Sequence, residues 1–259
     1  MIDVYASELL NLYSHKVKHA FFTRNGGISK DNYKSLNLGF NTNDSELNVQ
    51  YNRKIIAKYF NIDYPNLVIL NQTHSNKVIT ISKNNYAQSL TGDALVTNEP
   101  NLALGVLTAD CTPILIADIH NNIIAAIHAG WRSSYSGIIQ NTINSMKILG
   151  ANNYNMIAII GPTIGQKNYE VDADFKNNFV KINQHYNNFF TKQDKQDKFL
   201  FNLSALNLYQ LEQLEVKASN LNLCTYEKSS EFFSYRRSIM HENKTDCGRQ
   251  ISAIMLQKT

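Results

Sequence analysis

Three apolar runs lie close together near the middle of the chain and predict its central strands. Each run is short and rich in leucine, isoleucine, valine and alanine, a composition typical of strands that are buried on both faces. Polar residues separate the runs and mark where the chain turns. The runs cover residues 102–108, 114–119 and 123–127.

The polar segment 120–122 (His-Asn-Asn) predicts a tight turn that joins the second and third runs in an antiparallel hairpin. With the turn centred on Asn121, Ile119 would pair with Ile123 and Ile114 with His128. Cys111 would then lie only a few steps of about 3.3 Å from that pair. The predicted hairpin therefore brings a thiol close to an imidazole.

The spacing of apolar positions elsewhere predicts further strands and helices. Strands are predicted over residues 19–23, 67–70, 77–82, 157–160, 221–226 and 251–256, and helices over residues 45–60, 133–149 and 199–214. Residues 172–198 predict a helix followed by a mobile loop. Because the later elements need the same core as the earlier ones, we expect a single domain over residues 1–259.

Composition and charge narrow the class of protein. The 259 residues are 43% hydrophobic and 18% charged, with a formal net charge of +4. The lysines are scattered through asparagine-rich segments instead of forming a basic stripe, which argues against nucleic-acid binding. No apolar run reaches the roughly 18 residues of a membrane span, so no membrane association is expected. The oligomeric state cannot be predicted.

The three cysteines, Cys111, Cys224 and Cys247, do not have the spacing of a disulfide framework or a zinc knuckle. For Cys224 and Cys247 we expect only packing roles. The first residues contain Asp3 and Glu8 and lack a continuous apolar segment, unlike a signal peptide. A reducing, cytoplasmic location is therefore expected.

His74, Cys111 and His128 form a candidate metal site. Alone, a histidine at a strand end or a cysteine in an apolar run is more often structural. Together, one thiolate and two imidazoles suit Zn²⁺ with three protein ligands and an open fourth position, the arrangement of catalytic zinc. Copper accepts the same ligands. Asp110, beside Cys111, is a candidate general acid or base, or a residue that orients a ligand.

Several arginines are candidates for binding an anionic substrate, because the planar guanidinium matches a phosphate with paired hydrogen bonds. For each of them a structural or solvent-exposed role is an equally good interpretation. The candidates are Arg24, Arg53, Arg132, Arg236 and Arg237.

Eight segments carry a resemblance to a known family. They are HAFFTRNGGIS, SLNLG, NQTHSNKV, GDALVT, LGVLTADCTPILIAD, AAIHAGWR, IGPTIG with YEV, and FFSYRR. Through them the sequence resembles the bacterial YfiH-type laccase-domain family, over nearly the whole chain. Members of the family have been described as multicopper polyphenol oxidases, as a peptidoglycan editing factor and as purine nucleoside phosphorylases. Segment 238–247 is longer than the commonest family pattern, which leaves the role of Arg249 open.

The resemblance implies an activity and a metal site. The family's metal ligands fall on His74, Cys111 and His128. The implied reactions are phosphorolysis of adenosine, inosine, guanosine and S-methyl-5'-thioadenosine, and deamination of adenosine. The expected partners are therefore purine nucleosides and inorganic phosphate, with Zn²⁺ as cofactor and Cu²⁺ as an alternative.

The family is also similar in fold to the necrotizing-factor toxins. This similarity implies an α+β fold with mixed β-sheets and helices packed outside. It also provides an alternative function, a hydrolase with Cys111 as nucleophile and His128 as base that cleaves an amide in a cell-wall peptide precursor. A copper-dependent phenol oxidase is a further alternative, although one cysteine and two histidines cannot hold several copper ions.

Overall fold

The computed structural model describes residues 2–194, 197–240, 242 and 244–258. Parts of the predicted mobile loop (Lys195 and Gln196) and of the long segment 238–247 (His241 and Asn243) lie outside the described residues. The strands are β1 (Val4–Tyr5), β2 (Val17–Phe22), β3 (Leu67–Ile69), β4 (Val78–Thr80), β5 (Ala94–Thr97), β6 (Ala103–Thr108), β7 (Thr112–Asp118), β8 (Ile123–Ala129), β9 (Met156–Ile160), β10 (Glu170–Asp172), β11 (Phe190–Lys192), β12 (Lys198–Phe201), β13 (Lys217–Asn220) and β14 (Gln250–Leu256). The α-helices are α1 (Glu8–Asn11), α2 (Glu46–Phe60), α3 (Trp131–Tyr135), α4 (Ile138–Ile148), α5 (Ala173–Ile182), α6 (Leu203–Gln213) and α7 (Tyr235–Met240).

The strands form three sheets. The first has five strands in the order β1-β2-β14-β6-β3, and the second has six in the order β13-β9-β7-β8-β5-β4. Both are mixed, because β3 pairs in parallel with β6 and β4 with β5 in otherwise largely antiparallel sheets. The third sheet, β10-β12-β11, is small and antiparallel. The expected α+β fold with mixed sheets is confirmed.

The central strands are buried on both faces, which explains their continuous apolar character. In β7, Leu115 packs into the core between the two large sheets, and its neighbour Ile114 packs into the core under α4. The outer face of the five-stranded sheet is covered by α2, whose Ile56 and Phe60 are fully buried there. The expected position of the helices, outside the sheets, follows from these three apolar layers.

The predicted hairpin forms, but its predicted register was wrong by one residue. Ile114 pairs with Ile127, and His128 pairs with Pro113. The reason is the carboxylate of Asp118, which accepts hydrogen bonds from the backbone N–H groups of His120 and Asn121, both at 3.0 Å. The connection therefore spans four residues instead of three, and Cys111 still lies beside the end of β8.

The helix predicted over residues 133–149 is divided in two. Gly137 has a φ of 86°, which ends α3 and lets α4 begin in a new direction. The helix predicted over residues 45–60 is present as α2, and α5 matches the helix predicted after residue 172. No helix among the described residues is both long and apolar enough to cross a membrane.

Two elements in the last third of the chain were predicted wrongly. The helix predicted from residue 199 begins at Leu203, after β12, because the Asn202 side chain accepts a hydrogen bond from Ala205 N and caps the helix there. Residues 221–226 do not form the predicted strand. The strand in this part of the chain is β13, which ends at Asn220. Residues after β13 instead follow the loop around Thr163, which bridges to Cys224.

Candidate metal centre and its cavity

His74, Cys111 and His128 come together from three different parts of the sheets. His74 follows β3, Cys111 lies in the short connection between β6 and β7, and His128 lies near the end of β8. Their possible ligand atoms all lie within 4.8 Å of one another. The sequence-based prediction that these three side chains converge is therefore matched by the geometry.

The three side chains fit a metal ion with an open position. Cys111 Sγ lies 3.7 Å from His74 Nε2, close to the separation of about 3.6 Å that a tetrahedral zinc ion imposes on a sulfur and a nitrogen ligand. His128 is buried and His74 is exposed, so one side of the group faces the cavity described below. This ligand set suits zinc or copper and does not by itself select between them.

Gly130 provides the space into which these side chains fit. A Cβ at this position would lie 2.9 Å from His74 Cδ2 and 3.0 Å from Cys111 Sγ. Real Cβ atoms do not approach neighbours this closely without displacing them. Gly130, which directly follows β8, is therefore required by the site.

Asp93 orients both histidines, and the sequence analysis did not identify it. Its carboxylate accepts a hydrogen bond from His128 Nδ1 at 2.8 Å, and from the backbone N–H groups of His74 at 2.9 Å and Ser75 at 2.6 Å. The hydrogen bond to Nδ1 leaves His128 Nε2 available as a ligand. The signal available in the sequence was an aspartate directly before an apolar run, residues 94–96.

The electrostatics of the group favour a thiolate. Burial alone would raise the pKa of Cys111, but the nearby charge of His128 and hydrogen bonds from both histidines outweigh it and lower the pKa to about 6. Burial would lower the pKa of His128, but the Cys111 thiolate and Asp93 raise it to about 9. Hydrogen bonds from His128 and Ser75 hold the pKa of Asp93 well below its usual range, against the effect of burial.

Asp110 contacts a different part of the chain from its neighbour Cys111. Its carboxylate accepts hydrogen bonds from Thr225 Oγ1 at 2.7 Å and from the backbone N–H of Arg236 at 2.6 Å. Burial raises its pKa, although these hydrogen bonds act in the other direction. These contacts do not involve His74, Cys111 or His128, so they do not show the orientation of a metal ligand that was considered from the sequence. The group that they fix is the backbone of Arg236.

A cavity of about 650 Å³ opens beside the metal-binding group, and four arginines are among the described residues that line it. Each of the four lies over an aromatic ring that lines the same cavity, at 4.2 to 5.9 Å from the ring centroid. The pairs are Arg53 with Phe40, Arg132 with Trp131, Arg236 with Tyr169, and Arg249 with Tyr235. Such stacking holds the guanidinium planes while leaving their edges free to bind a ligand.

Three of the five arginines selected from the sequence line this cavity. They are Arg53, Arg132 and Arg236. The structure places the other two outside its lining. Arg237 is buried and donates to the backbone carbonyls of residues 225, 226 and 232, and Arg24 donates to those of residues 34 and 229. Their guanidinium groups are thus used to hold loops together.

Arg249, whose role the sequence left open, lies in the cavity lining and forms an ion pair with Asp246 at 3.5 Å.

Cys247 is buried and packs against Ala109 and Phe233. Cys224 accepts a hydrogen bond from Gly165 N at 3.2 Å. The contacts of both cysteines are consistent with the packing roles expected for them.

Comparison with known proteins identifies the family. The model of the multi-copper polyphenol oxidoreductase laccase family matches residues 18–257. The chain belongs to this family. Two similar relatives are the purine nucleoside phosphorylase of Haemophilus influenzae, 35% identical over 92% of this chain and 94% of that protein, and the purine nucleoside phosphorylase YfiH of Escherichia coli, 33% identical over 90% and 91%.

Two solved structures of similar proteins share the fold of this laccase-family chain. A Bacillus licheniformis YfiH protein matches with a TM-score of 0.89 and 28% identity, over 98% of this chain and 96% of that one. A Neisseria meningitidis protein matches with a TM-score of 0.82 and 34% identity, over 93% and 95%. Both relatives above are named as purine nucleoside phosphorylases, which supports an enzymatic role for this chain.

Proposed function

We propose that this laccase-family protein is a cytoplasmic zinc-containing purine nucleoside phosphorylase. Its substrates are adenosine, inosine, guanosine and S-methyl-5'-thioadenosine, and adenosine deamination is a side activity. The observation that carries the proposal is the joint lining of one cavity by the His74, Cys111 and His128 group and by four arginines stacked on aromatic rings. Stacked rings suit a planar base, and guanidinium edges suit an anion.

Phosphorolysis needs a phosphate held close to C1' of the ribose. An oxygen of phosphate forms a bond to C1', the bond from C1' to N9 breaks, and its electron pair leaves with the purine, which takes up a proton. Arg132 and Arg236 are the best candidates to hold the phosphate, since the charges of both act on Tyr169 together with that of Cys111. Tyr169, both arginines and Cys111 line the same cavity, and the three charged groups all act on the pKa of Tyr169.

The two arginines differ in how they are held. Arg236 donates to the carbonyl oxygen of Glu170 at 3.1 Å, and Asp110 fixes its backbone. Arg132 is exposed, and in the described part of the chain its guanidinium only stacks on Trp131. We infer that Arg236 provides a fixed contact and Arg132 an adjustable one, so that both can donate to the same phosphate.

His74, Cys111 and His128 would hold the metal. When bound, zinc supplies a positive charge and a Lewis acid beside the substrate. The thiolate character of Cys111 and the hydrogen bond from His128 to Asp93 prepare the ligands for that ion. In deamination, water adds to C6 of adenosine and ammonia leaves, so the side activity requires a second orientation of adenosine, in which C6 and not C1' approaches this end of the cavity.

Product analysis tests the proposal directly. The purified protein is incubated with adenosine, with and without inorganic phosphate, and the products are separated by chromatography. Adenine and ribose 1-phosphate formed only with phosphate would establish phosphorolysis, and inosine formed in both samples would establish deamination. Recovery of unchanged adenosine from both samples would refute the proposal.

A Cys/His hydrolase is the second candidate, because Cys111, His128 and Asp93 have the order of a nucleophile, a base and an orienting carboxylate. Its substrate would be an amide of a cell-wall peptide precursor. A metal bound through the thiolate would prevent nucleophilic attack. A hydrolase should therefore tolerate a strong chelator, whereas the zinc enzyme should lose its activity and regain it with added zinc.

A copper-dependent phenol oxidase is less well supported. Reduction of dioxygen to water needs several copper ions, and the described residues offer one group of three metal-binding side chains. Incubation of the copper-loaded protein with a phenol under air tests this alternative.

A further inference from the structure

One wall of the cavity, formed by Phe40, Arg53, Tyr235 and Arg249, is not used by the proposed phosphate site. The backbone of residues 37–40 holds it together. Leu38 O accepts a hydrogen bond from Arg53 Nε at 2.9 Å, and Leu38 N donates to Arg249 O at 3.1 Å. We call these four residues the aromatic wall.

Asn37 fixes the position of this wall. It is fully buried, and its Oδ1 accepts hydrogen bonds from Gly39 N at 3.1 Å and Arg249 N at 2.9 Å. Its Nδ2 donates to Thr42 and Asp44. Gly39 then packs against the Arg249 side chain, where a Cβ would lie 3.0 Å from Cγ. The wall is therefore built rigidly before any ligand binds.

Two aromatic rings of the wall line the cavity. Phe40 is 40% exposed and Tyr235 is 49% exposed, although both line the cavity. Arg53 lies over the Phe40 ring at 4.2 Å, so this ring is held in place. Exposed aromatic rings inside a cavity suit a planar base, because a base can stack on such a ring.

Arg53 also presents a charge that no carboxylate neutralises among the described residues. No ion pair joins it to an acidic side chain in that part of the chain, whereas Arg249 pairs with Asp246. Arg53 is partly buried, and burial lowers its pKa. Its guanidinium hydrogen-bonds to Leu38 O and to the Tyr64 side chain, and neither partner is a carboxylate. The remaining N–H groups suit a ligand with hydrogen-bond acceptors, because a guanidinium can only donate.

We infer that the aromatic wall is the purine subsite and that Arg53 selects purines that carry an oxygen at C6. This inference rests on the proposed function and names its preferred substrate class. A 6-oxopurine offers two acceptors, O6 and N7, in the spacing that an arginine binds with two hydrogen bonds. A 6-aminopurine replaces O6 with an amino donor, which faces the guanidinium donors unfavourably. Inosine and guanosine should therefore be preferred over adenosine.

The test compares base binding with turnover in the zinc-loaded full-length protein. Calorimetry measures the affinity for hypoxanthine and adenine, and kcat/KM is measured for inosine and adenosine. We expect hypoxanthine to bind at least about 10-fold more tightly than adenine in the unaltered protein. In Arg53→Gln, hypoxanthine affinity should fall about 10- to 100-fold and adenine affinity less than about 3-fold, since glutamine pairs with N6 and N7 of adenine.

Three further variants serve as controls. Arg132→Gln should leave the ratio of the two base affinities unchanged, because it acts on phosphate. Tyr235→Leu should weaken both bases about equally, by roughly 5- to 10-fold, because it removes an exposed ring that does not hold Arg53. If Arg53→Gln does not fold by circular dichroism, Arg53→Lys keeps the charge without the two-point contact and should lose most of the preference for hypoxanthine.

The outcomes separate the inference from the proposed function. Equal losses for both bases in the Arg53 variant, or no loss, would overturn the purine subsite even if ribose 1-phosphate forms. Conversely, an Arg53-dependent preference for hypoxanthine without ribose 1-phosphate from any nucleoside would refute the phosphorylase and leave the base subsite standing.

Discussion

Asp93 and His128 lie 35 residues apart in the chain, and their side chains form a hydrogen bond of 2.8 Å between a carboxylate oxygen and Nδ1. Both side chains are almost completely buried. The same carboxylate also binds the backbone of His74, so one buried group orients two of the three candidate metal ligands. The metal-binding geometry therefore depends on Asp93 as much as on the ligands themselves.

Replacement of Asp93 should weaken metal binding. In Asp93→Asn we expect about 10- to 100-fold lower zinc affinity, because the orienting negative charge is lost. Competition with a chromophoric chelator measures this change. Asp172→Ala is the control, because Asp172 caps α5 through Phe175 N at 2.8 Å and lies outside the metal-binding group. Loss of that cap should cost about 1 kcal/mol of stability without changing zinc affinity.

Removal of the thiol should abolish both stoichiometric metal and turnover. We expect Cys111→Ala to retain less than about a tenth of the zinc, because two histidines without the thiolate bind zinc weakly. Elemental analysis of the purified protein measures the metal content. Cys247→Ala, which alters a buried cysteine outside the group, is the matched control. Normal zinc content in Cys111→Ala would remove this residue from the ligand set.

Gly130→Ala should disrupt the site more than the fold. The added Cβ would meet His74 and Cys111 at 2.9 and 3.0 Å, so the two ligands must move apart. We expect at least about a 100-fold loss of activity, since small displacements at a catalytic site have effects of this size. Kinetics and thermal unfolding should be measured on the same sample. Full activity would show that the ligands adjust without cost.

Replacement of Arg132 should impair substrate binding, whereas replacement of Arg237 should lower the stability of the fold. Arg132→Gln should raise the KM for phosphate about 10-fold or more and change stability by less than about 0.5 kcal/mol. Arg237→Ala should instead cost about 2–4 kcal/mol, because three carbonyl groups lose their buried donor. Urea unfolding and steady-state kinetics distinguish the two effects. A stable, inactive Arg237→Ala would contradict the structural role.

His19 should make stability depend on pH. It is buried, accepts a hydrogen bond from Ser7 N at 2.8 Å, and burial lowers its pKa from 6.5 to about 4. Between these values the unfolded chain binds more protons than the folded one. The contribution is therefore fully present above about pH 6.5 and is lost as pH falls from there towards 4.

The comparison that isolates this effect uses His19→Gln. On going from pH 7.5 to 5.0, the unaltered protein should lose about 2 kcal/mol more unfolding free energy than the variant. Urea unfolding at both pH values measures the difference. Equal losses in the two proteins would show that His19 titrates normally in the folded state.

Much of the fold was visible in the sequence because the central strands are buried on both faces. Continuous apolar runs record that burial directly, so β6, β7 and β8 could be predicted to within a few residues. The ends of elements were less visible, since they depend on single contacts. Asp118 shifted the hairpin register by one residue, and Gly137 divided a predicted helix.

The sequence by itself determined the apolar core, the reactive side chains and, through its motifs, the family to which the chain belongs. Only the tertiary structure decided which polar groups meet. Asp93 reaches His128 across two paired strands, Asp110 turns towards Arg236, and Arg249 joins the cavity while Arg24 and Arg237 do not. The physical reason is that residue type fixes what a side chain can donate, accept or bury, whereas its partner is chosen by packing between segments far apart in the chain.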